Sequence, residues 1–198
     1  MAVDPVLEFA HTLATEALSP GDAAVDATVG NGHDTVVLAR AVGEEGQVFG
    51  VDVQADAIDT TRRRLAAAGL ASRVRLIRAG HETMTAHVPD RRHGRVGAVM
   101  FNLGYLPGSD SPLTTTPQTT IPALDAAMRL LRPDGVLTVV LYSGHEGGPE
   151  EVEAVEAWAE ALPRTLGEAL SYRFVNQRND PPRLIAVEKQ GANAEVSS

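Results

Sequence analysis

Asn102 and Tyr105 stand in the stretch VMFNLGYLPGSD, residues 99–110, directly after an apolar run that suits a buried strand. A tight turn would require only the Gly and the Pro found there. The amide and the phenol therefore point to chemistry. The oxygen of a primary amide accepts hydrogen bonds and its nitrogen donates them, so it can orient a bound polar group. A tyrosine stacks on a planar base or handles a proton through its hydroxyl. Leu103, Gly104, Pro107 and Asp110 complete the same stretch, the last with a carboxylate able to accept a proton. A second polar group, Tyr142-Ser143-Gly144-His145, brings another aromatic ring and an imidazole. Imidazole takes and releases protons near neutral pH. Asn102, Tyr105, Tyr142 and His145 are thus the catalytic candidates.

Three other clusters have the chemistry of ligand binding. In DATVGNGHDT, residues 26–35, Gly30 and Gly32 let the backbone turn tightly and approach a ligand closely. The run lacks the third glycine of a pyrophosphate fingerprint, which favours a ligand held by side chains. Asp26 can accept hydrogens from an ammonium group. Asn31, His33, Asp34 and Thr35 can satisfy further polar atoms or cap a helix. Asp52 ends the run VFGVD about 20 residues further on, where a carboxylate reaches both ribose hydroxyls. Gln54 follows it, and Gly80-His81 lies after the next strand, where an adenine would rest. A nicotinamide cofactor would require the same acid at Asp52, so these residues alone admit S-adenosylmethionine (SAM) or NAD.

Apolar spacing predicts the elements that must position these groups. Helices are expected over 5–18, 34–42, 55–68, 119–131 and 149–161. Strands are expected over 23–28, 47–53, 73–79, 96–103, 136–142, 171–177 and 183–189. The last two have no helix between them and should form an antiparallel hairpin joined by RNDPP. This is an α/β layout with a seven-stranded, mostly parallel sheet, that of a Rossmann-like class I SAM-dependent methyltransferase, in the expected order 3-2-1-4-5-7-6. Ligands of such sheets sit beyond the carboxyl ends of the strands, where the order reverses. That point lies between the first and fourth strands, so Asn102 should face the methyl group of a cofactor held by the first and second.

The 198 residues, 43% of them hydrophobic, suffice for one globular domain, which we place at 1–189 with a flexible tail at 190–198. No apolar run approaches a bilayer span, and the first residues lack the pattern of a signal peptide. Cysteine is absent, which excludes disulfides, thiolate metal sites and a cysteine nucleophile and fits a cytoplasmic enzyme. The chemistry calls for no metal. A net charge of −9 argues against coating nucleic acid non-specifically. Local basic clusters remain, and we expect Arg91, Arg92 and Arg95 to meet an RNA.

The NLGY run resembles the Asn-Pro-Pro-Tyr motif of amino-group methyltransferases, with Leu103 and Gly104 in place of the prolines. Four runs in order, DATVGNGHDT, FNLGYLPGSD, YSGHEGG and FVNQRNDPP, together resemble the YtqB-like rRNA methylase family, whose characterised members are MnmM-type tRNA methyltransferases. The resemblance extends from the first helix to Lys189. It implies SAM-dependent methylation of the 5-aminomethyl group on the wobble (2-thio)uridine of tRNA, with the anticodon stem-loop as partner. It also implies cofactor contacts from Asn31, His33, Asp52, Gln54 and His81, and substrate contacts from residues 102–110 and 142–145. A Lys expected after the Gly-Gly-Asp run of the family is missing from Gly108-Ser109-Asp110-Ser111. Methylation of rRNA or of a small amine is the enzymatic alternative. An NAD(P)-binding oxidoreductase and a non-catalytic nucleotide-binding protein are alternatives of another class. We leave room for a homodimer.

Overall fold

A computed structural model describes residues 3–104, 114–178 and 180–191. Its elements run α1 (Val6–Glu16), β1 (Ala23–Asp26), α2 (His33–Ala41), β2 (Gln47–Asp52), α3 (Ala55–Ala67), β3 (Val74–Arg78) and β4 (Val96–Asn102). They continue with α4 (Pro117–Leu130), β5 (Leu131–Leu141), α5 (Gly148–Ala161), β6 (Gly167–Tyr172) and β7 (Arg183–Lys189). The seven strands form one sheet in the order β3-β2-β1-β4-β5-β7-β6. The first five pair in parallel, and β7 runs antiparallel to both β5 and β6. This is the order expected from the alternation of strand and helix patterns.

The central strands are apolar on both faces, as strands covered by helices on each side must be. Side chains alternate between the faces, so β4 serves two cores. Val99 and Phe101 pack on one side with Leu124 and Leu130 of α4 and Val155 of α5. Ala98 and Met100 pack on the other with Val6 and Ala10 of α1, Leu38 of α2 and Leu65 of α3. Two turns that lead into helices at the carboxyl edge use a left-handed glycine: Gly32 before α2 and Gly147 before α5, each with φ of 79°.

Two elements depart from expectation. β5 begins at Leu131 instead of 136. The edge strand is β6 at Gly167–Tyr172, not 171–177, and the segment joining it to β7 is 173–182 instead of RNDPP alone. Its pairing with β7 runs from Gly167 opposite Lys189 to Tyr172 opposite Leu184. Beyond that point, aromatic packing takes over. The Tyr172 ring lies 4.6 Å from Phe9 and 5.8 Å from Phe174, and its hydroxyl donates to the Asp4 carbonyl. The apolar Phe174 and Val175 imitate a strand pattern, whereas the true strand exposes Glu168 to Ser171 and carries little hydrophobic signal.

Candidate active site at the carboxyl edge of the sheet

The parallel strands all end on one edge, and β1 and β4 lie side by side at the point where the order reverses. A cavity of about 490 Å³ opens there, within the size range of small-ligand sites. Its walls come from the loop after β1, the ends of β2, β3 and β4, and the segment leading into α4.

Asp52 closes β2 at the rim. Its two carboxylate oxygens accept the backbone N–H groups of Gly30 at 2.9 Å and Gln54 at 2.8 Å. One acid thus fixes the loops after β1 and β2 and still borders the cavity with Gly30, Asn31, His33 and Gln54. Gly32 does not border it. A Cβ at Gly32 would collide with the Thr61 hydroxyl of α3, and that hydroxyl already donates to the Gly30 carbonyl at 3.1 Å.

Gly80 and His81 form the far wall. The His81 ring is 8% exposed and meets the edge of Phe101 at 5.6 Å. Burial holds its pKa below the usual value, so the ring is neutral. Its buried Nε2 has no hydrogen-bond partner among the described residues. A buried polar atom on a cavity wall is costly unless a ligand satisfies it. A purine, with ring nitrogens and an exocyclic amine, has the atoms to do so. The carboxylate at the ribose position and this histidine beyond it fit an adenosyl group.

Asp26 is fully buried and lies behind the cavity wall, as does Thr35. Asp26 accepts the Thr35 hydroxyl at 2.5 Å and the Thr28 N–H at 3.2 Å. Burial and, after it, the neighbouring Asp34 charge push its pKa up to about 7. The folded chain therefore holds a proton that an unfolded aspartate releases near pH 3.8. Stability contributed by this group is fully present below that value and is lost as pH rises towards about 7. We expect Asp26→Asn to flatten this decline. Thermal melts of both proteins across the interval test it, and parallel curves would refute it.

Asp34, the first-turn acid of α2, borders the cavity, unlike Asp26. One oxygen meets His11 Nε2 of α1 at 2.6 Å, and the other accepts from Asn102 Nδ2 at 3.4 Å. The hydrogen bond to Asp34 raises the His11 pKa. The Asn102 backbone N–H donates to the Thr28 hydroxyl at 2.6 Å. With its amide nitrogen turned to Asp34, Asn102 is left to present its oxygen elsewhere.

Gly104 brings the two polar groups of the sequence together. Its φ is 132°, and a Cβ there would lie 3.3 Å from His145 Nε2 and 3.9 Å from the Tyr142 ring. Asn102, Leu103, Gly104 and Tyr142 border the cavity, with the half-buried His145 against Gly104. Tyr105, Pro107 and Asp110 lie outside the described residues. Sequence reasoning missed His11, Glu82 and the threonines Thr114, Thr115, Thr116 and Thr119, all but His11 on the cavity wall. The run TTTPQTT, residues 114–120, was the available signal. Arg91, Arg92 and Arg95 do not border the cavity: they precede Val96 at the other end of β4, a strand about 20 Å long.

A cavity at the switch point of a 3-2-1-4-5-7-6 sheet, with an acid at the end of β2 and a strand-ending asparagine on β4, defines a class I SAM-dependent methyltransferase. The chain belongs to the family described as "Putative rRNA methylase", whose model matches residues 48–188. It is 42% identical to a tRNA (mnm(5)s(2)U34)-methyltransferase, chloroplastic, of Arabidopsis thaliana over 92% of this chain and 69% of that protein. A crystal structure of a "putative rRNA-methylase" from Clostridium thermocellum superposes with a TM-score of 0.91 at 42% identity, covering 96% of this chain and all of that one. A crystal structure of a "putative methyltransferase" from Streptococcus mutans in complex with SAH gives a TM-score of 0.85 at 33% identity, covering 94% and 99% of the two chains.

Proposed function

We propose that this enzyme methylates the primary amine of 5-aminomethyl-(2-thio)uridine at the wobble position of tRNA, giving the 5-methylaminomethyl form. The observation that carries this is the fixed amide of Asn102, turned by Asp34 at the end of β4. The Arabidopsis relative, named for the same nucleoside, supports it. Bound in the cavity, SAM would supply a methyl group on a positive sulfur: the neutral amine's lone pair bonds to the methyl carbon as the C–S bond breaks, S-adenosylhomocysteine leaves with that electron pair, and the new ammonium sheds one proton.

The chain's residues divide the remaining work. Asp52 and Gln54 hold the ribose side, and Gly80 and His81 receive the adenine. Asn31, His33 and Asp34 line the path of the amino-acid end, while Asp26 and Thr35 shape the loop from behind. Asn102 accepts one amine hydrogen and aims the lone pair, as in-line transfer demands. Tyr142 or Tyr105 stacks on the splayed uridine. His145 or Asp110 takes up the proton. The RNA partner is the anticodon stem-loop, and the enzyme works in the cytoplasm. No helix among the described residues is long and apolar enough to cross a membrane.

The test is incubation of purified enzyme and SAM with tRNA carrying the 5-aminomethyl nucleoside, read by nucleoside mass spectrometry. Conversion to the methylaminomethyl form is expected. Methyl incorporation into rRNA and none into tRNA would overturn the assignment in favour of the activity in the family's description.

A further inference from the structure

Glu151 has no part in the site so far, yet it is one of the most buried acids in the protein, with 1% of its surface exposed. It lies in the first turn of α5, which favours negative charge. No lysine or arginine pairs with it among the described residues. Its oxygens accept two hydroxyls, from Thr115 at 2.6 Å and Thr120 at 2.7 Å. A carboxylate buried without a cation is a poor way to gain stability.

The two threonines differ in where they lead. Thr120 is inside α4 and fully buried. Thr115 borders the cavity, and its hydroxyl accepts the Gly104 N–H at 2.9 Å, while its own N–H donates to the Gly104 carbonyl at 3.2 Å. Donating to Glu151 commits the hydroxyl hydrogen, so the oxygen lone pair must face Gly104. A chain of bonds thus runs from Glu151 through Thr115 to the peptide that joins Leu103 to Gly104. On the other side of that residue pair, the Leu103 N–H donates to the Val140 carbonyl at 2.9 Å.

A trans peptide is planar, and its C=O points opposite to its N–H. Fixing the Gly104 N–H therefore also fixes the direction of the Leu103 carbonyl. Leu103 is packed in the core and also borders the cavity, so the peptide that joins it to Gly104 lies at the cavity wall directly after Asn102. Gly104, at φ of 132°, would otherwise be the freest joint next to Asn102.

We propose that Glu151 is a positioning residue, acting through Thr115 to hold the Leu103–Gly104 peptide at the orientation the acceptor amine requires. This rests on the methyl-transfer function proposed above. Asn102 is thereby steadied from one side by Asp34 and its downstream peptide from the other by Glu151.

Thr115→Val breaks the relay, Thr120→Val removes only the other hydroxyl, and Thr115→Ser keeps the relay. Single-turnover methylation of the 5-aminomethyl tRNA at saturating SAM should fall roughly tenfold to a hundredfold for Thr115→Val and Glu151→Gln. The rate of Thr115→Ser and Thr120→Val should stay near wild type, and SAM affinity should change in none of them. The double variant Thr115→Val/Glu151→Gln should be no slower than the slower single one. Amide hydrogen exchange at Gly104, read by NMR without any substrate, should accelerate in Thr115→Val and not in Thr120→Val. Equal losses in the two valine variants would reduce Glu151 to a structural role, and a wild-type rate in Thr115→Val would end the proposal. A wild-type enzyme inactive on the tRNA would instead sink the functional assignment, with Gly104 exchange still judging the relay.

Discussion

Replacing Asn102 by Ala should slow methyl transfer on the order of 10²–10³-fold, the loss typical when one oriented hydrogen bond at a reacting centre is removed. SAM affinity should remain nearly intact, because the cofactor side of the cavity is built from the ends of β1 to β3. The amide is held twice, through its backbone to Thr28 and through its side chain to Asp34. Alanine keeps the first contact and loses the second, so the fold should survive while the aim is lost. Single-turnover methylation at saturating SAM is the measurement. A wild-type rate would make NLGY a mere strand terminator and pass the acceptor role to residues 142–145.

Asp52→Ala should weaken SAM binding by on the order of 10²–10⁴-fold, since hydrogen bonds to a charged partner contribute roughly 1.5–3 kcal/mol each and two ribose hydroxyls are at stake. The loss has a second source. Asp52 also anchors the N–H groups of Gly30 and Gln54, so its removal loosens the two loops that frame the ligand. Asp52→Asn keeps one acceptor oxygen and should fall between wild type and alanine. Titration calorimetry with SAM, and with NAD as the control ligand, decides the matter. Unchanged SAM affinity in the alanine variant would show that the ribose is held elsewhere.

The strand order could be read from the sequence because each central strand is a short apolar run closed by a polar residue at the same edge. Asp52 and Asn102 both mark such ends. The edge strand β6 was misplaced because it faces solvent and its residues carry no core pattern. Local pattern also picked out the glycine loop and His81, of which Gly30 and His81 border the cavity, but it could not say which acids of that loop face inward. Asp26 went behind the wall and Asp34 onto it, a distinction set by packing under α2. His11 meets Asp34 across 23 positions, and Thr115 meets Glu151 across 36. Neither pair leaves a trace in spacing, since the fold alone makes them neighbours. The arginines at 91, 92 and 95 precede β4, so its direction puts them at the sheet edge opposite the cavity.

The contact between Gly32 and Thr61 restricts the order in which mutations can accumulate. Any side chain at position 32 would collide with a β-branched threonine that has little freedom to step aside. Position 61 must therefore shrink first, and that first step surrenders the hydroxyl that tethers the Gly30 carbonyl. Even then, the left-handed backbone at 32 would charge a residue other than glycine about 1–2 kcal/mol. A lineage would have to cross a weakened intermediate to reach a state that is still strained, so the two positions form a ratchet that locks the glycine in place.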